Sequence, residues 1–125
     1  MAFEQNLRGQ FTKIANADLS GSQYRFVVVD PADGDGCILP DAGGHVAGVL
    51  QNHPSEGQGG SIVPEGASKV IAGEAIDVDD PIAAAADGRA AVAASGDIVV
   101  GRAERAAASA GLVITVRLGN EGALA

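Results

Sequence analysis

Residues 112–118 read LVITVRL. Leu112, Ile114, Val116 and Leu118 share one parity and Val113, Thr115 and Arg117 the other, so an extended chain directs four aliphatic side chains to one side. That alternation marks a strand with one face on a core. Residues 98–103 (IVVGRA) supply its natural partner, and the linking stretch 104–111 (ERAAASAG) reads as a helical turn or as a strand end with a loop. Further back, residues 82–86 and 89–93 flank Asp87-Gly88, a dipeptide suited to a two-residue type I′ turn, which predicts a hairpin. Alanine has the best helix propensity, yet Asp80-Pro81 and Asp87-Gly88 bracket residues 83–86 too closely for a helix.

The same grammar continues toward the N-terminus. Short strands are predicted at 67–71, at 61–63, at 45–50 between Gly43-Gly44 and Asn52-His53-Pro54, and at 37–39, stopped by Pro40. Residues 23–29 (QYRFVVV) are rich in aromatic and β-branched side chains and end at Asp30-Pro31. Residues 30–36 (DPADGDG) are turn chemistry, because Pro fixes φ and Gly permits φ > 0. Eight or so short strands with turns between them predict an all-β fold, a small β-barrel or β-tulip-like domain of short antiparallel strands. Eighteen glycines and no sustained helical period speak against a bundle.

The two ends differ from this body. Phe3, Leu7, Phe11 and Ile14 are spaced by four, four and three, which suits one face of a short amphipathic helix. Gly9 interrupts that run and Gly21 follows it, which suits an extended N-terminal arm carrying isolated apolar anchors. The arm is the reading carried forward. The expected organisation is an arm at 1–22, a β domain at 23–118 and a loose C-terminal tail at 119–125.

Composition bounds the core and the partners. The chain of 125 residues is the size of one domain. Aromatic residues make up 3% and Trp is absent, so Val, Ile, Leu and Ala must fill the interior. Small side chains bury less area each, and contacts with other subunits would add to a modest stability margin. Net charge is −8, unevenly spread: residues 1–26 sum to +1 and residues 27–125 to −9. That field opposes phosphate binding, so no nucleic-acid partner is expected. Cys37 is the sole cysteine, which excludes an internal disulfide and fits synthesis in a reducing cytosol. No apolar h-region follows Met1, and no apolar run is long enough to span a bilayer, so no membrane partner is expected.

Catalytic chemistry finds little to work with. His45 and His53 are the only histidines, both read as loop or strand-edge residues, and no G-x-S-x-G elbow is present. Asp30, Asp33 and Asp35 crowd one loop and Asp77, Asp79 and Asp80 another. The first misses the EF-hand spacing at Cys37, so both read as turn formers rather than metal ligands. Lys69 raises the thought of a biotinyl or lipoyl carrier lysine, but it lies inside a predicted strand without flanking methionines. Residues 57–60 (GQGG) lack the P-loop spacing. No cofactor, metal or catalytic set is expected.

The half from Val46 onward resembles the tailed-phage capsid cement, or head decoration, proteins. The residues that carry the resemblance are Gly48-Val49-Leu50-Gln51-Asn52, GQGGSIV at 57–63, GASKVI at 66–71, AGEAI at 72–76, DPI at 80–82, ADGRA at 86–90, GDIVVGRA at 96–103 and AGLVITVRL at 110–118. The resemblance implies a non-enzymatic structural protein, made in the host bacterial cytoplasm, that sits on the outer surface of the capsid. It implies the major capsid protein as partner, adjacent subunits as the contacts bridged, and a homotrimer at threefold and quasi-threefold positions. The slightly basic first segment is the expected contact, with Phe3, Leu7, Arg8, Phe11, Lys13 and Ile14 as candidate residues. Removing residues 2–20 is expected to abolish capsid binding and leave a folded core. A different class, a small β-sandwich binding carbohydrate or another host-surface ligand, is the alternative. Its stacking aromatics would have to come from Phe3, Phe11, Tyr24 and Phe26.

Overall fold

Alternation of aliphatic and polar side chains buries one face of an extended strand, and the strongest alternation in the chain sits inside a sheet, with a strand on either side. The computed structural model describes residues 9–125, and no helix occurs among them. In chain order the strands are β1 (Phe11–Ala15), β2 (Phe26–Asp30), β3 (Asp33–Ile38), β4 (Gly48–Leu50), β5 (Gly59–Val63), β6 (Gly66–Ile71), β7 (Pro81–Ala84), β8 (Ala90–Val92), β9 (Ile98–Ala103) and β10 (Val113–Ala123). The first five close into a barrel in the order β1-β3-β2-β4-β5, and the rest form a sheet ordered β6-β10-β9-β7-β8. The all-β reading holds.

β10 pairs with β6 in unbroken register from Val113↔Ile71 to Leu118↔Gly66, and with β9 on its other side. Ile114, Val116 and Leu118 are buried as their parity requires, while Leu112 is 46% exposed. Leu112 precedes the strand, just after the turn at Gly111, and its carbonyl accepts from the Ala72 amide at 2.8 Å.

Two cores share one wall. Val27, Cys37, Leu50 and Ile62 fill the barrel together with Ala15 and Leu19. Phe26 and Val49 belong instead to the larger core beneath the second sheet, with Val70, Ile76, Ile82, Ile114 and Val116. Successive residues of a strand face opposite sides, so β2 and β4 each present one face to the barrel interior and the other to the second sheet. That is why residues 26–29 read FVVV without alternation. The seam is also stitched by backbone: the amides of Phe26, Ile71 and Gly43 donate to the carbonyls of Gly88, Tyr24 and Ala84 at 2.7, 2.9 and 2.8 Å. The outer edge of β8 is covered, because Gly73 N donates to Ala90 O at 2.7 Å and Val92 N to a Glu74 carboxylate oxygen at 3.2 Å.

Several expectations are corrected. Residues 11–22 are neither arm nor helix. β1 pairs parallel with β3 and antiparallel with β5, and Ala15 and Leu19 are fully buried. Its burial has a period of two, Thr12 and Ile14 being exposed and Phe11, Lys13 and Ala15 turned inward, which the apolar spacing of three and four concealed. The β1·β3 pair is also the exception to an antiparallel scheme. Deleting residues 2–20 would therefore remove a barrel strand, and a folded remainder is not expected.

The loose tail is corrected as well. Residues 119–123 continue β10 past a register shift, pairing Gly122 with Val99 and Ala123 with Ile98, and the Arg102–Glu121 ion pair at 2.9 Å holds the extension. The β7–β8 hairpin is tied differently from the two-residue turn expected. Its register, Ile82↔Val92 through Ala84↔Ala90, with Ala85 N donating to Arg89 O, leaves a three-residue loop. Gly88 takes φ +82 there, the left-handed residue that follows a type I turn. Residues 33–36 belong to β3, the turn shrinking to Pro31-Ala32. Residues 23–25 form a turn with Tyr24 at φ +62, and residues 45–47 precede β4.

Candidate docking surface

Of the residues expected to make contact, Phe3, Leu7 and Arg8 lie outside the described residues. Phe11 is half-buried against the barrel core, Lys13 donates from Nζ to Gly34 O at 2.7 Å, and Ile14 is 42% exposed. Lys13 and Ile14 are consecutive in a strand and so face opposite sides of the barrel wall; the fold does not gather them into one patch. Both edges of β1 are taken by β3 and β5, so it has no free edge on which to add a strand. β6 ends the second sheet; its outer edge is taken at Ile71 by Tyr24 O, and Lys69 Nζ lies 5.7 Å from the centre of the Tyr24 ring.

The aspartate loops satisfy themselves. Asn16 Nδ2 donates to Asp30 at 3.0 Å and to Asp33 at 3.2 Å, while the amides of Ala32 and Asp35 donate to the same two carboxylates. The Asn16 side chain, and then the Ala32 amide, hold the Asp30 carboxyl below the usual carboxylate range. In the second loop Asp77 N donates to Asp80 at 2.8 Å. Among the described residues no three His, Cys, Asp or Glu side chains stand together as a metal site. His53 is exposed beside Asn52 and Gln58, and His45 is exposed elsewhere, on the segment between β3 and β4. Phe26 is fully buried and unavailable for stacking on a sugar ring, and Phe11 packs on the barrel core.

The surface feature that sequence reasoning missed lies on the outside of the barrel. Val28 and Ile38 are cross-strand partners on β2 and β3, both half-buried. With Val29, Leu39 and Pro31 they floor a groove of about 340 Å³, whose far wall is the segment through Asp41, Gly44 and His45. That wall is fixed from behind by the second sheet, since Gly43 donates to Ala84 O and accepts from Ile98 N at 2.9 Å. The groove is preformed rather than a gap between loose loops. Its signal in the sequence was FVVV, whose outward-facing valine the barrel interior cannot use.

The charge around the groove is acidic. Asp41 stands on its wall, and Asp30, Asp33 and Asp35 lie on the β2–β3 hairpin that carries Pro31. None of these four forms an ion pair among the described residues.

Compared with known proteins, the chain matches the profile of a family described as phage cement protein over residues 10–118. No curated protein matches it. Among solved structures, the head fiber gp8.5 N base of bacteriophage phi29 superposes with a TM-score of 0.75 at 22% identity, covering 93% of this chain and 97% of that one. At that identity the likeness is one of fold.

Proposed function

The chain belongs to the phage cement protein family, and from that premise we propose that it binds the outer surface of an assembled phage head and bridges adjacent major capsid subunits. The observation that carries the reading is the extent of the family match, which takes in all but the end of the two-sheet body. The oligomer that fits the role is a homotrimer at threefold and quasi-threefold positions, where one copy can face each neighbouring subunit. Synthesis in the host bacterial cytoplasm, followed by addition to the head from outside, is compatible with the single thiol, Cys37, which is buried and unpaired.

The mechanism is linkage. A protein that binds the assembled shell and not separated subunits stabilises assembly by RT ln(1 + [L]/Kd) at each site. Each bridge ties two subunits, so modest affinity per contact multiplies over the shell. The contact candidates remain Phe3, Leu7, Arg8, Phe11, Lys13 and Ile14, among which Ile14 offers the exposed apolar side chain. The part of the β6 edge before Ile71 adds a place on which a partner strand can be laid.

Co-sedimentation tests the reading. The protein should pellet with heads assembled in its absence and stay in the supernatant with dissociated capsid subunits. Equal affinity for subunits and heads, or no affinity for heads, would overturn it.

A further inference from the structure

Among the described residues, the outer groove of the barrel is a preformed apolar concavity for which the fold itself has no use. We propose that it receives an extended segment of the major capsid protein that carries an aliphatic or aromatic side chain next to a lysine or arginine. This rests on the head-binding reading and names the chemistry of the contact.

Two independent properties of the groove select that occupant. The floor is centred on Val28 and Ile38, cross-strand partners whose parity turns them to the outside of a barrel whose interior is already filled, and it is bordered by Val29 and by Leu39, which also packs on the barrel core. An apolar floor held by a fixed wall favours insertion of an apolar anchor, because neither side must be ordered for it. The rim is the second property. Asp41 stands on the wall, and Asp30, Asp33 and Asp35 lie on the hairpin that carries Pro31; no described side chain neutralises any of them as an ion pair, and residues 27–125 sum to −9. A purely apolar partner would leave those carboxylates beside a newly dried surface, at a cost in desolvation. A basic residue flanking the anchor removes that cost and steers the encounter. A second copy of this chain is the poorer fit: its residues 27–125 bring −9 to a rim that is already negative.

The probe is phage heads assembled without this protein, and two variants separate the two properties. Ile38→Lys places a charge on the floor, where the side chain is half-exposed and outside both cores. It should weaken head binding at least about tenfold, with the thermal midpoint close to that of the wild type. The double change Asp35→Asn, Asp41→Asn alters carboxylates that accept no hydrogen bond among the described residues, so the fold is untouched. It should weaken binding about threefold at low ionic strength and flatten the salt dependence.

Wild-type binding to heads with both variants bound as tightly, at the same salt slope, overturns the groove proposal and leaves the head-binding reading standing. No wild-type binding removes both. If Ile38→Lys alters the mass of the free oligomer by light scattering but not its affinity for heads, the occupant is a second copy and the proposal is wrong. Should Ile38→Lys fail to fold, the asparagine pair decides alone: an unchanged salt slope refutes the acidic rim and with it the occupant.

Discussion

Gly88→Ala is the sharpest test of how the two sheets are joined. At φ +82 the residue sits where an L side chain is strained, and an added Cβ would lie 2.7 Å from Phe26 O, 2.9 Å from Arg25 Cβ and 3.3 Å from Leu39 Cδ2. Two of these neighbours belong to the strand-entry backbone of β2 and its preceding residue, so the hairpin itself must retreat. Gly96 provides the control: its φ is +90, and a Cβ there would meet nothing within 4 Å. At Gly96 only the left-handed conformation is charged, about 1–2 kcal/mol, reduced by up to about 1 kcal/mol through the lower entropy of the unfolded chain. At Gly88 the same cost is joined by a second. Retreat of the hairpin stretches the bond from Phe26 N to Gly88 O, now 2.7 Å. Leaving that buried amide short of its partner costs about 1–3 kcal/mol. The expected losses are about 1 kcal/mol for Gly96→Ala and about 3 kcal/mol for Gly88→Ala, a difference of about 2 kcal/mol. Urea denaturation followed by circular dichroism resolves this as midpoints about 1 M or more apart, for slopes of about 1–2 kcal/mol/M. Equal midpoint shifts in the two variants would show that the Gly88 contact does not hold the sheets together.

Two further outcomes follow from the same structure. Deleting residues 2–9 should leave the denaturation midpoint near that of the wild type while weakening co-sedimentation with heads; deleting residues 2–20 should abolish the cooperative transition, because it removes β1 with buried Ala15 and Leu19, and a cooperative transition in the longer deletion would refute the barrel pairing of β1. Burial raises the Asp87 carboxyl, but the Arg89 amide and guanidinium, with the charges of Arg89 and Arg25, overcome this and hold it below its usual range. A carboxyl lowered on folding contributes above its unfolded value near about 4 and loses that contribution as pH falls through the folded value. Between pH 7 and pH 3 the wild type should lose more stability than Asp87→Asn, and parallel curves would show that the Arg25–Asp87–Arg89 cluster adds nothing to the seam.

What the sequence disclosed and what it hid have physical reasons. Residues 112–118 were legible because one face is buried and the other solvated, so parity alone set the register. The β7–β8 hairpin was found but slipped by one residue, since Asp-Gly serves a two-residue I′ turn and a three-residue loop with a left-handed Gly equally well. β1 was hidden by composition: Phe11, Lys13 and Ala15 face inward, and a lysine among them breaks the apolar alternation although its Nζ is satisfied by Gly34 O. Residues 119–123 (GNEGA) read as a tail because nothing local shows that Glu121 finds Arg102 across the sheet. Of the candidate contact residues, Phe3, Leu7 and Arg8 lie outside the described residues, and Phe11, Lys13 and Ile14 sit on a barrel strand rather than on an arm. The groove left no motif, because a two-faced strand such as FVVV looks the same whether its second face meets a sheet, as Phe26 does, or stands open, as Val28 does.

The shared wall explains how a chain so poor in aromatic residues makes a stiff body. A barrel of five short strands and a sheet of five more would each enclose a small interior of Val, Ile, Leu and Ala, and small domains bury too little surface to be stable alone. Making β2 and β4 serve both interiors lets the same backbone exclude water twice, with Phe26 as the largest fully buried side chain between them. Neither half then keeps its core without the other, so local opening of one sheet exposes the second as well. On the proposed role this coupling matters more than total stability. A bridge that flexed at the seam would let two capsid subunits separate before it resisted, whereas a body whose halves share a wall passes a load at the groove directly into β7 and β9 of the sheet behind it, through Gly43 and its bonds to Ala84 and Ile98.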